Sequence, residues 1–151
     1  MTDSEINLKY RSLYEVCLNS NKMEELFDYL FIISDIAAER GEDELAETIR
    51  WVYECKIRPI ARTKDGESII LWQVNNLKFY KWMKEGVPVD PAIPSVINVS
   101  YLSEDQLKSN SNNYYQIDNK LTTRYTTLVQ FTSLMDAFRF LIPVWKKFTK
   151  K

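Results

Sequence analysis

The chain has no histidine among its 151 residues. That removes the usual general base near neutral pH and the commonest metal ligand. Ser-His-Asp and Cys-His nucleophile systems are excluded, and so are the histidine-dependent zinc motifs. There are two cysteines, Cys17 and Cys55, too few for a four-cysteine zinc site in one chain. Each lies among apolar residues of a helical pattern and is expected as a buried thiol in a reducing compartment. The three glycines, Gly41, Gly66 and Gly86, all fall where a turn or helix stop is needed. None remains to cradle a phosphate, and neither a P-loop nor a dinucleotide fingerprint is present. No apolar run approaches the roughly 18 residues of a membrane span. The first ten residues, MTDSEINLKY, lack the basic-then-apolar plan of a signal peptide, so a cytoplasmic protein is expected.

What is present is enough for a core: 45% of residues are hydrophobic and 13% aromatic. Thr2 and Glu5 fit a capping box, and Ile6, Tyr10, Leu13 and Cys17 follow at helical spacing, with Tyr14 and Leu18 alongside. Asn21 with Glu24 marks a second start. Met23, Leu26, Phe27, Leu30, Phe31, Ile33 and Ala37 then form an apolar face wide enough to touch more than one neighbour. Gly41 stops this helix, and Glu42, Asp43 and Glu44 suit the positive end of the next. That third helix buries Leu45, Ile49, Val52 and Tyr53 and is expected to end at Pro59.

The pattern then changes. Pro59–Arg62 and Ser68–Val74 flank an Asp65-Gly66 turn and predict a hairpin. Residues 76–85 read as a helix, and Pro88, Pro91 and Pro94 mark an extended connector over residues 87–94. A short strand is expected over residues 94–101, with a short helix started by Ser103 and Gln106. Tyr114–Ile117 and Leu121–Phe131 read as strands, the second alternating Leu121, Thr123, Tyr125, Thr127, Val129 and Phe131 onto one face. Ser133 with Asp136 starts a last helix bearing Leu134, Ala137, Phe138, Leu141, Trp145 and Phe148, which Pro143 either kinks or restarts. The expectation is one α+β domain over residues 1–151. A three-helix N-terminal layer (1–58) packs with a small antiparallel sheet and a C-terminal helix (59–151).

Within that pattern, Ser34 to Glu42 (SDIAAERGE) resembles the "ADWLEERGD" core of a short repeat-companion domain common in planctomycete-type genomes. Glu44–Trp51 resembles the helix that often follows, and Gly66 and Trp72 echo a later glycine turn and Trp-bearing strand. The resemblance spans residues 30–72, and Ile36 stands where the family has tryptophan. It implies a fold more than a function, because that family has no assigned enzymatic activity.

Charge is the remaining signal. Residues 1–56 hold 13 acidic and 6 basic side chains, whereas residues 57–151 hold 8 and 14. Either the halves neutralise each other within the fold, or they present charged surfaces to partners. Asp35 and Glu39 share a helix face at i and i+4, as paired acids would, but the simpler reading is a solvated acidic face with local capping or pairing. Elimination of chemistry predicts a non-catalytic protein-interaction or regulatory module without cofactor or metal. Its contact candidates are Asp35, Glu39, Glu42, Asp43 and Glu44. The alternative is a nucleic-acid-binding accessory protein using Lys78, Lys81, Trp82, Lys84 and Arg124, where lysines interleave with stacking aromatics. A small enzyme lacking histidine is the third reading.

Overall fold

A computed structural model describes residues 1–20, 22–54, 57–62, 69–73, 93, 95–103, 105 and 125–149. Asn21, the Asp65-Gly66 turn, the 76–85 helix, Gln106 and the 114–117 strand lie outside these. So does the proline connector apart from Ile93.

Helix α1 (Asp3–Ser20) begins as the capping box requires. The Glu5 amide donates to Thr2 Oγ1 at 3.2 Å, and the Thr2 amide donates to Glu5 Oε1 at 3.3 Å. Each side chain thus serves an amide that the helix leaves unpaired. Helix α2 (Met23–Glu39) starts differently: its cap position is Lys22, which makes no side-chain capping bond.

Helix α2 ends in a Schellman turn. The Glu42 amide donates to Ala37 O and the Gly41 amide to Ala38 O, both at 3.0 Å. Gly41 supplies the left-handed backbone that this needs, with φ of 78°. Helix α3 (Asp43–Glu54) then begins at once, the Ala46 amide donating to Glu42 O at 3.0 Å. Glu42 therefore closes one helix and opens the next.

The apolar face of α2 differs from the expected one. Leu26, Leu30, Ile33 and Ala37 are buried, but so are Tyr29 and Ser34, whereas Phe31 is 44% exposed. Helix α2 meets α1 on one side and α3 on the other, so its buried arc is centred between them. In α3, Leu45, Ile49 and Val52 are buried as expected, Trp51 joins them and Tyr53 is half-buried.

Pro59 does not end α3. The helix is described as far as Glu54, and Pro59 lies within strand β1 (Ile57–Arg62). Strand β2 (Ile69–Gln73) pairs antiparallel with it, with a register shift between Pro59 and Ala61. Beyond it β4 (Tyr125–Phe131) pairs with β2, and β3 (Val96–Ser103) pairs with β4. Among the described residues all pairings are antiparallel and the order is β1-β2-β4-β3. Proline, which cannot donate to a ladder, is tolerated on an edge strand next to a bulge. Strand β3 runs two residues later than expected and ends at Ser103, and Asp105, the described residue that follows, is helical.

Ser133 is the cap residue of helix α4 (Leu134–Phe140), but its side chain makes no capping bond. Leu141 closes α4, and helix α5 (Ile142–Thr149) restarts immediately. Pro143 falls in the first turn of α5, where a missing N–H leaves no gap. Of the two possibilities that Pro143 raised, the restart is the one seen.

The fold is therefore α+β: three N-terminal helices, a small antiparallel sheet and a C-terminal helical segment. Ile6, Tyr10 and Tyr14 of α1, Leu30 and Ile33 of α2, and Ile49 and Val52 of α3 join Phe131, Phe138 and Val144 in one buried cluster. Helix α4 lies against α1, α3, β3 and β4, so it ties the helical layer to the sheet.

Candidate functional site

The acidic turn around Gly41 is built from three separate pieces of chain. The end of α2 supplies Arg40, and the α2–α3 junction supplies Glu42. The first residue of α1 is Asp3, and α4 contributes Arg139 from its last turn. Arg139 Nη1 lies 2.8 Å from Asp3 Oδ2 and 2.7 Å from Asp136 Oδ1, and its Nη2 lies 3.4 Å from Glu42 Oε1. The other Asp3 oxygen accepts from Arg40 Nη1 at 2.7 Å, while Arg40 Nη2 donates to Met1 O. Asp136 also accepts from Ser95 Oγ at 2.7 Å, which extends the chain of bonds to the start of β3. Asp136 is spent on these contacts and does not turn back to cap α4.

This cluster is only partly shielded, with the Arg139 side chain 29% exposed. Burial works against the charge on Asp3, yet hydrogen bonds from Arg139 and Arg40 outweigh it and lower the carboxyl pKa from 3.8. For Arg139, burial is likewise overcome by the bonds it donates to Asp3 and Asp136, and its pKa rises. Both groups are fixed as ions over the physiological range.

Those contacts join the two oppositely charged parts of the sequence. Asp3 and Glu42 meet Arg139, and Glu44 meets Lys146 of α5 at 2.7 Å. The five acids expected as a contact patch are thereby divided. Glu42 and Glu44 face cations of α4 and α5, while Asp35, Glu39 and Asp43 are exposed on the outer side. Among the described residues Asp35 is approached by Arg50, at 3.6 Å, with both side chains more than half exposed. Arg50 is held in place by a buried hydroxyl: its Nε donates to Ser34 Oγ at 3.1 Å, and Ser34 Oγ donates to Ala46 O at 3.0 Å.

The outer side also carries apolar surface. Phe31 and Ile32 are 44% and 50% exposed, and the Phe31 ring leans on Tyr53 with centroids 4.1 Å apart. Neither this exposure nor the Arg139 cluster was evident from residue patterns. Arg139 stands next to Asp136 at helical spacing, but Asp3 and Glu42 are distant in sequence. The one available signal for Phe31 and Ile32 was the length of the apolar run Leu30-Phe31-Ile32-Ile33, which no single buried helix face can absorb.

Among the described residues no three Cys, Asp or Glu side chains converge as a metal site. Burial raises the pKa of Tyr10, Cys17 and Tyr29, so these groups keep their protons at neutral pH. Cys17 is a buried free thiol. Cys55 and the nucleic-acid candidates Lys78, Lys81, Trp82, Lys84 and Arg124 lie outside the described residues. No helix among the described residues is long and apolar enough to cross a membrane. No family model, curated protein or solved structure matches this chain.

Proposed function

We propose that this protein is a non-catalytic, cytoplasmic interaction module that binds another protein through the outer acidic side of the α2–α3 pair. One observation carries the reading. Glu42 and Glu44 have cations from α4 and α5, whereas Asp35, Glu39 and Asp43 stay exposed on the same helical hairpin. Carboxylates left in water around a fixed backbone steer a cationic partner and set its orientation, while adding little to stability.

The test compares the wild-type chain with the Asp35→Asn/Glu39→Gln/Asp43→Asn variant as baits in extracts of the native host. Both are washed at low and high salt, and the eluates are quantified for protein and for nucleic acid. The expected result is a host protein retained by the wild type and lost by the variant. Identical protein recovery by both baits would remove the patch. Nucleic acid released steeply by salt would favour instead a surface built from Lys78, Lys81, Trp82, Lys84 and Arg124.

A further inference from the structure

We infer that the outer face of α2 is a docking surface for a cationic amphipathic helix, anchored by an apolar side chain at Phe31 and Ile32. This deepens the proposed function and rests on it: the partner is now given a shape and a chemistry.

Asp28, Ile32, Asp35 and Glu39 fall at i, i+4, i+7 and i+11 and form one stripe along α2. All four are exposed. The stripe runs about 16 Å at 1.5 Å per residue, roughly three helical turns. Phe31 lies beside it on the side toward α3, supported by Tyr53.

Single exposed apolar residues on a surface are ordinary. Leu8 and Val16 of α1 are of that kind, since they stand eight residues apart with exposed Ser12 between them. Phe31 and Ile32 differ because they are adjacent and bordered by carboxylates. A small apolar centre with a charged rim is the plan of a protein-binding hot spot. The rim also selects the occupant. Glu47 and Glu54 of α3 are exposed on the neighbouring helix, and Arg50, the cation between them, already serves Ser34 and Asp35. Phosphate backbones and acidic peptides are repelled by such a rim. A helix with lysine or arginine on its flanks and a leucine-sized side chain at its centre is attracted along its whole length.

The probe is a fluorescent synthetic peptide of about five turns, with leucine at amphipathic spacing and lysine elsewhere. Two control peptides carry glutamate for lysine, or serine for leucine. All are titrated against the full chain, with circular dichroism confirming that each variant is folded. The lysine–leucine peptide is expected to bind, and both controls to bind at least ~10-fold more weakly. Phe31→Ser/Ile32→Ser is expected to weaken binding about 10-fold or more. Ile32→Lys alone, at the more exposed position, should do the same by repulsion. Asp28→Asn/Asp35→Asn/Glu39→Gln should weaken binding and flatten its salt dependence. Leu8→Ser/Val16→Ser should leave affinity unchanged.

Equal binding of the glutamate–leucine peptide would overturn the inference, because only apolar stickiness would remain. So would an equal loss in the Leu8/Val16 variant. Sedimentation showing a dimer that Phe31→Ser/Ile32→Ser dissolves would assign the face to a second copy and overturn it too. If the acid variant loses the peptide while the Phe31/Ile32 variant keeps it, the anchor falls and the acidic patch stands. If no peptide binds the wild type, this inference fails alone, since the proposed function is read from host proteins.

Discussion

The inner and outer sides of the α2–α3 hairpin carry the same kind of residue and put it to different uses. Inside, Asp3, Glu42 and Asp136 converge on Arg139, with Arg40 on the far side of Asp3. Outside, Asp35, Glu39 and Asp43 stand in water, with Arg50 loosely beside the first. Neighbouring carboxylates in one sequence run, such as Glu42 and Asp43, end on opposite sides of that division. The difference lies in what the rest of the chain brings to them. A carboxylate becomes structural when a distant element delivers an arginine, and remains surface when none arrives.

The comparison predicts unequal responses to mutation. The largest belongs to Arg139→Met, which keeps apolar bulk but leaves three carboxylates facing each other. Loss of a partly buried, multiply bonded cation is expected to cost about 2–3 kcal/mol. Urea denaturation reads this as a lower midpoint at unchanged slope. A change no larger than that of a surface substitution would erase the distinction between the two sides.

Gly41→Ala comes next, at about 1 kcal/mol, because a residue with a Cβ resists positive φ. Thermal melting measures it. The loss should appear without any change in peptide affinity, since the turn frames the outer face without being part of it.

Asp3→Asn sharpens the comparison through pH. The folded carboxyl has a lowered pKa, so its contribution is complete above the unfolded value of 3.8 and disappears as pH falls through the folded value. The stability gap between wild type and Asp3→Asn should be present at neutral pH and shrink as the solution is acidified below about 4. Denaturant titrations at several pH values check this. A gap that stays constant into strong acid would mean the asparagine acts through packing.

The smallest effect is expected outside. Asp35→Asn and Glu39→Gln should each change stability by less than about 0.5 kcal/mol. Their effect should appear in binding titrations alone. A larger loss of stability on urea unfolding would move them into the structural group.

The division between legible and illegible follows the range of the interactions. Local chemistry was readable: Thr2 and Glu5 cap each other, Gly41 turns the chain, and two β-prone segments pair around residues 63–68. Positions governed by a single neighbour were also readable, such as Ile49 and Val52 on one face of α3. Helix α2 was harder because it touches two helices. Tyr29 is covered on the side where Lys9 of α1 approaches its ring, at 5.7 Å, and Ser34 is covered by α3. Phe31 is left between the inward arc and the solvent. Pro59 lies in the hairpin strand where the β-prone pattern places it, but it does not end α3, since that strand has already begun at Ile57. Which strand neighbours which was not encoded locally, since β4 pairs with both β2 and β3. The site followed the same rule. The candidate acids were visible by composition, but Arg139 and Lys146 divide them from positions about one hundred residues further along.

One further consequence follows from the turn at Gly41. A methyl group built there in the ordinary configuration would meet nothing within 4 Å. The position is therefore selective for backbone handedness, and steric crowding of that methyl is not what excludes a side chain. Its mirror-image alanine, introduced by chemical ligation, finds positive φ natural and should hold the corner at least as firmly as glycine does. The chain uses an achiral residue here as a substitute for an enantiomer that ribosomes do not supply.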